Sequence, residues 1–232
     1  MATVEELIVP AILDYPAVFF FALTGALVAY RKDYDFVGMA ALAFSVGLGG
    51  GLIRDGIFLQ QEPAALLYWQ YLAAVGLAVL TAILVGELIQ KRFSLIILLL
   101  DAAGLGLFAV VGSQKSLNLG YSVYAAALVG LVNAVGGGIL RDVLSGEDPI
   151  IFKPSQLYVV AIAAGLSVYL VLGVGFDVYP WTAALACIGT TLAFRMLTIL
   201  LDLRTSPVSR HVWRNKMGRG VRSTVGKLRN RP

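Results

Sequence analysis

Two heptapeptides carry most of the chemistry open to this chain: GGGLIRD at Gly49–Asp55 and GGGILRD at Gly136–Asp142. Each places three glycines ahead of an adjacent arginine and aspartate, inside an otherwise apolar run. A glycine within a helix costs about 1 kcal/mol against alanine. Three together let the backbone kink and expose carbonyls. In hydrocarbon, irregular backbone survives only where it is buried in protein or lines water. Interrupted helices at matching positions of two halves point to a permeation or binding site. Glycine also allows helices to approach closely, and Gly47/Gly51 and Ala134/Gly138 sit at small-xxx-small spacing. A packing role therefore stands beside the pathway role for Gly49, Gly50, Gly51, Gly136, Gly137 and Gly138.

Arg54-Asp55 and Arg141-Asp142 are neighbours on their helices, pointing about 100° apart. That spacing predicts poor pairing within each couple, so each residue needs another partner. Ionised groups inside membrane segments are expensive and mark a pathway or a bound partner. Two readings stay open: the four residues line or brace a polar path, or they form salt bridges to Asp14, Asp101 or another copy that fix the bundle. Asp101 lies deep in the apolar run SLIILLLDAAG, where pairing with arginine is the first expectation. Arg195 is expected to snorkel toward the cytoplasmic end, or to pair with Asp202 or another acid, rather than to line a pore. Ser45 and Asn133 precede the glycines and are candidate polar rungs.

Enzyme chemistry finds few residues to use. The single histidine, His211, lies in a basic tail, so no histidine cluster or HExxH motif exists. There is no GxSxG elbow. The glycine motif lacks the Gly-Lys-Ser/Thr ending of a phosphate-binding loop. Cys187 is the one cysteine, which precludes an intrachain disulfide and reads as a small buried hydrophobe. No catalytic residue, metal site or cofactor is expected.

These residues must be positioned by membrane helices. Of 232 residues, 59% are hydrophobic and 14% charged, against roughly 25% charged in soluble domains. Such a chain cannot cover a water-facing surface, which leaves an all-α polytopic membrane protein. Apolar runs of about 20 residues span a bilayer. Seven are read here: 14–30, 36–59, 66–89, 95–113, 121–144, 155–174 and 181–203. The N-terminus shows neither the basic stretch nor the cleavage site of a signal peptide.

Charge orients the bundle. Residues 1–203 carry a net of −5, and residues 204–232 a net of +9. The basic tail is expected in the cytoplasm, near anionic lipid headgroups rather than nucleic acid. Seven spans then put the N-terminus outside. Arg31-Lys32, Lys91-Arg92 and Lys153 fall inside, and only Lys115 falls outside. The expected location is the cell (inner) membrane.

The chain also repeats itself. A shift of 87 residues aligns both glycine triplets, both Arg-Asp pairs, Asp14 with Asp101, Gly25 with Gly112 and Tyr34 with Tyr121. Over 14–58 the ungapped match has 11 identities in 45 positions. Each copy holds three helices, and an odd number forces the second copy upside down. The expected plan is a first repeat at 14–90, an inverted second repeat at 95–175, a seventh helix at 180–203 and a tail at 204–232.

Two GGGxxRD motifs three helices apart, followed by a seventh helix, resemble the prokaryotic branch of the trimeric intracellular cation channel (TRIC) family. The resemblance covers about 14–174. The same repeat has been labelled a glycine transporter domain. The resemblance implies a homotrimer with a pore in each protomer between helices kinked at the two triplets. It implies permeant K⁺ and Na⁺ ions, with a secondary transporter of a small solute such as glycine as the alternative. Animal members carry a Lys-Glu-Val motif tied to lipid binding and gating, which is missing here, so that regulation is not carried over. Bare Arg54 and Arg141 would repel cations, so the family reading requires nearby carboxylates to neutralise them or a gating role.

Overall fold

The computed structural model describes residues 4–153, 157–201 and 203, and these are helical without strands. Eight α-helices follow in order: α1 (Val4–Arg31), α2 (Phe36–Ile53), α3 (Ala64–Leu67), α4 (Gln70–Val85), α5 (Phe93–Asn118), α6 (Val123–Leu144), α7 (Tyr158–Leu170) and α8 (Pro180–Leu200). Local chemistry sets their starts. Asp35 caps α2 by accepting from Gly38 N at 2.7 Å, and Ser122 caps α6 by accepting from Ala125 N at 3.3 Å. Pro180 opens α8, where its missing N–H costs nothing. Two helices loosen at their ends: α2 continues as a π-helical turn over Arg54–Phe58, and α7 over Val171–Gly175.

Among the described residues, six helical stretches are long and apolar enough to cross a membrane: Ile12–Arg31, Phe36–Phe58, Phe93–Asn118, Val123–Leu144, Tyr158–Gly175 and Pro180–Leu200. The apolar run at 66–89 is divided. Its start forms the single turn α3, the backbone extends at Tyr68, and α4 begins at Gln70. At 16 residues, α4 is about 24 Å long, short of a hydrocarbon core of about 30 Å.

The two central helices are α1 and α5. α1 packs on α2, α4 and α5, while α5 packs on α6, α7 and α8. At their contact the rings of Phe21 and Phe108 stack, with centroids 5.1 Å apart and planes at 17°. These two residues are 87 apart, and both are fully buried. α2 lies on α6, and α7 on α8. The outward faces carry Leu77, Leu80, Leu84, Leu185 and Leu200 in the open. An apolar exterior around a core holding buried charge is the arrangement of a polytopic membrane protein, where lipid replaces water outside.

Candidate functional site

The two glycine triplets meet. A Cβ on Gly137 would lie 2.7 Å from Val46 O, and one on Gly50 would lie 3.2 Å from Asn133 O. The higher-numbered residue of α2 thus faces the lower-numbered one of α6, so the two helices cross antiparallel. Glycine is what permits this approach, since backbone on each side occupies the space a side chain would need. Phe21 packs beneath the crossing, 2.8 Å from the same Gly137 Cβ position.

Neither helix is interrupted at its triplet. Both α2 and α6 remain α-helical through all three glycines. The carbonyls of Gly50 and Gly51 accept from Arg54 N–H, so they stay within the helix ladder. The expected break at the glycines is corrected. In α2 the irregular turn comes later, from Arg54 onward. Gly47 serves packing, since a Cβ there would meet Ala22 on α1 at 2.8 Å.

Beyond the crossing on one side, five helices contribute to a charged cluster. Arg54 donates to Asp14 from Nη1 at 3.2 Å and from Nη2 at 3.0 Å. It also donates to Asp55 from Nε at 2.7 Å and from Nη2 at 3.0 Å. Tyr71 Oη donates to Asp14 at 2.8 Å. Lys115 Nζ lies 3.1 and 3.2 Å from the two Asp55 oxygens and 3.8 Å from Asp14. Ala64 N adds a bond to Asp55 Oδ2 at 3.2 Å. Two carboxylates face two cations, so the cluster sums to zero.

The other side repeats the plan with different details. Arg141 donates to Asp101 from Nη1 and to Asp142 from Nε, each at 2.9 Å, and Thr24 Oγ1 lies 3.4 Å from its Nη1. Ile150 N donates to Asp142 Oδ2 at 2.9 Å. Tyr158 Oη and Asp101 Oδ1 converge on Gly138, 3.1 and 3.6 Å from its Cβ position. Arg195, 1% exposed, lies over the Tyr158 ring at 4.9 Å. Here too, two acids balance two bases.

Two sequence expectations fail at these clusters. Arg54 pairs with its neighbour Asp55, and Arg141 with Asp142. The long arginine side chain folds back along the helix, and its fork serves two carboxylates at once. The 100° separation of the Cβ atoms is overcome by side-chain length. Arg195 does not snorkel outward: it is buried beneath α7, held by an aromatic face. Of its alternative partners, Asp202 lies outside the described residues, as does the basic tail 204–232, while Asp101 is the acid that acts on it within the cluster. Ser45 is half-buried beside the crossing, and Asn133 is fully buried within it.

Sequence reasoning missed Lys115, Tyr71, Tyr158 and Thr24 as cluster members. Tyr71 and Tyr158 carried a readable signal: they are also 87 residues apart, just beyond the stretch compared for repeats. Lys115 lies beyond the apolar run read at 95–113, and the structure extends that helix to seat it in the last turn of α5.

A cavity of about 10 Å³ adjoins each cluster. One is lined by Asp14, Gly51, Arg54, Asp55 and Tyr71. The other is lined by Gly138, Arg141, Asp142, Ile150 and Tyr158. Each is the size of one water. Arg54 and Arg141 lie four residues past Gly50 and Gly137, so the antiparallel crossing separates the clusters by about 12 Å along the axis. Between them the glycine backbones touch.

The family model described as glycine transporter matches twice, over residues 11–87 and 98–173. The two matches begin 87 residues apart. A solved structure of the TRIC trimeric intracellular cation channel orthologue from Rhodobacter sphaeroides superposes with a TM-score of 0.77 at 33% identity, covering 84% of this chain and 99% of that one. The chain belongs to the TRIC family. A second solved TRIC cation channel, from work on the structural basis of conductance, gives a TM-score of 0.73 at 30% identity over 86% of this TRIC chain and 97% of the other. The UPF0126 membrane protein of Deinococcus radiodurans is 38% identical over 154 residues, 66% of this chain and 71% of the relative. The UPF0126 inner membrane protein YadS of Escherichia coli (strain K12) is 31% identical over 199 residues, 83% and 92% of the two chains. This TRIC family member is a multi-pass membrane protein.

Proposed function

We propose that the chain is a monovalent cation channel of the inner membrane, passing K⁺ with Na⁺, with one route in each protomer of a homotrimer. The route runs between α2 and α6, through the glycine crossing. The observation that carries this reading is the pair of charge-balanced clusters, each with a water-sized cavity, facing each other across two glycine triplets. The likeness to solved TRIC cation channels supports the same reading.

Balanced clusters answer the repulsion problem. Arg54 and Arg141 are neutralised by carboxylates within hydrogen-bond distance, so an approaching cation meets no net positive field. The conformation described here is closed at the crossing. Conduction requires α2 and α6 to separate there, which glycine backbones allow without moving large side chains.

Seven spans complete the proposal: α1, α2, α4, α5, α6, α7 and α8. α1-α2-α4 and α5-α6-α7 form two halves of opposite orientation, as the antiparallel α2–α6 crossing suggests. The N-terminus lies outside and the C-terminal tail in the cytoplasm, near anionic headgroups.

Purified protein in planar bilayers tests the function. Unitary currents that reverse near the K⁺ equilibrium potential are expected. Silent bilayers, with saturable glycine counterflow in vesicles of the same preparation, would overturn the channel and favour a transporter.

A further inference from the structure

At the crossing, one side chain offers an oxygen to the space between the helices. Asn133, on α6, is 1% exposed. Its Nδ2 donates to Phe108 O at 2.7 Å, which fixes the plane of the amide. With Nδ2 so held, Oδ1 points to α2, 3.6 Å from the Cβ position of Gly50. Oδ1 is fully buried and has no hydrogen-bond partner among the described residues. A buried amide oxygen without a donor is costly, and in native proteins it calls for an explanation.

Two backbone oxygens face the same seam. Asn133 O lies 3.2 Å from the Gly50 Cβ position, and Val46 O lies 2.7 Å from that of Gly137. Val46 and Asn133 are 87 residues apart, so the two backbone oxygens are repeat mates. The side-chain oxygen is not: its counterpart is an apolar valine. Each carbonyl keeps a second lone pair beyond its helix bond. Neutral amide and carbonyl oxygens are the ligands that replace water around a K⁺ ion in a narrow filter.

We propose that Asn133 Oδ1 is a direct ligand of the permeating alkali cation, completing a single dwell site with Asn133 O and Val46 O at the glycine crossing. The proposal rests on the channel reading above and names the residue that sets its ion preference. A neutral site between two neutral clusters can take an ion from either side and release it, whereas a carboxylate at the same place would hold it.

The isosteric variant Asn133→Asp tests this in planar bilayers. With a carboxylate on the ion path, block of K⁺ current by Ca²⁺ is expected at a concentration at least about ten-fold below that for the unmutated chain, together with a smaller unitary current. Asn133→Val is expected to lose at least about five-fold in unitary K⁺ current and to bring the K⁺/Na⁺ permeability ratio toward one. If that variant does not fold, the exchange Val46→Asn/Asn133→Val puts the amide on the repeat-equivalent position of α2 and is expected to restore K⁺ preference. Folded Asn133→Asp protein with unaltered Ca²⁺ sensitivity, unitary current and ion preference would overturn the assignment and leave the channel reading standing. No current from the unmutated chain would instead refute the channel reading itself.

Discussion

Arg54 holds Asp14 with both prongs of its guanidinium, Nη1 to Oδ1 at 3.2 Å and Nη2 to Oδ2 at 3.0 Å, joining two helices across 40 residues of chain. Removing one partner breaks this two-pronged pair and leaves the buried cluster with one unbalanced charge, a loss of up to about 3–5 kcal/mol. Asp14→Asn and Arg54→Met are therefore each expected to lower thermal stability in detergent substantially. The double variant should lose less than the sum of the two. Additive losses would show that the pair is not coupled.

Alanine substitution of the glycines should give a graded result, read from what a new Cβ would touch. At Gly137 it would meet Val46 O and the Phe21 ring, at 2.7 and 2.8 Å. Overpacking of this kind costs about 1–3 kcal/mol. At Gly51 the nearest atom is 3.6 Å away, and at Gly76 and Gly189 nothing lies within 4 Å. Those three changes should be neutral or stabilising by up to about 1 kcal/mol. Thermal unfolding of the set checks the order, and equal tolerance at Gly137 and Gly189 would contradict the crossing.

One ion pair outside the membrane region gives a pH signature. Lys32 Nζ lies 2.8 Å from Glu147 Oε1, linking the turn after α1 to the turn after α6. The lysine bond and charge hold the Glu147 carboxyl below its ordinary value. Its stabilisation is therefore complete above the ordinary glutamate range and is lost as pH falls through the lowered value. Both groups are exposed, so the effect is small. Unfolding temperatures of the unmutated chain and Glu147→Gln should differ most near neutral pH and converge in acid. A gap that widens in acid would reverse the sign.

Reporter fusions test the seven-span topology. A reporter active only in the cytoplasm is expected to work after residue 232 and in the Lys91–Arg92 turn, and to fail at the Leu119–Gly120 turn. Because α4 has only 16 residues, the Lys91–Arg92 fusion is the informative one. Failure there would mean that α4 does not cross the membrane.

The sequence made the helices and their repeat readable because hydropathy and an 87-residue shift are local and linear signals. The same shift aligned Asp14 with Asp101 and Arg54 with Arg141, the cost of buried charge called for a partner for each, and the structure pairs Asp14 with Arg54 and Asp101 with Arg141. What a linear pattern cannot carry is side-chain reach. Arg54 bends back to its own neighbour Asp55, Lys115 turns inward from the end of α5, and Arg195 lies over Tyr158. Composition also misled about the triplets. Glycine lowers helix propensity, yet burial against a facing backbone kept α2 and α6 helical through Gly49–Gly51 and Gly136–Gly138.

The route between α2 and α6 is the central claim, and a reversible cross-link tests it most directly. A Cβ on Gly49 would contact the Leu140 side chain, so Gly49→Cys and Leu140→Cys, in a Cys187→Ala background, place two thiols face to face across the crossing. Oxidation should abolish K⁺ current in planar bilayers, and a reductant should restore it. Undiminished current from protein whose cross-link is verified by mass spectrometry would contradict a path between these helices.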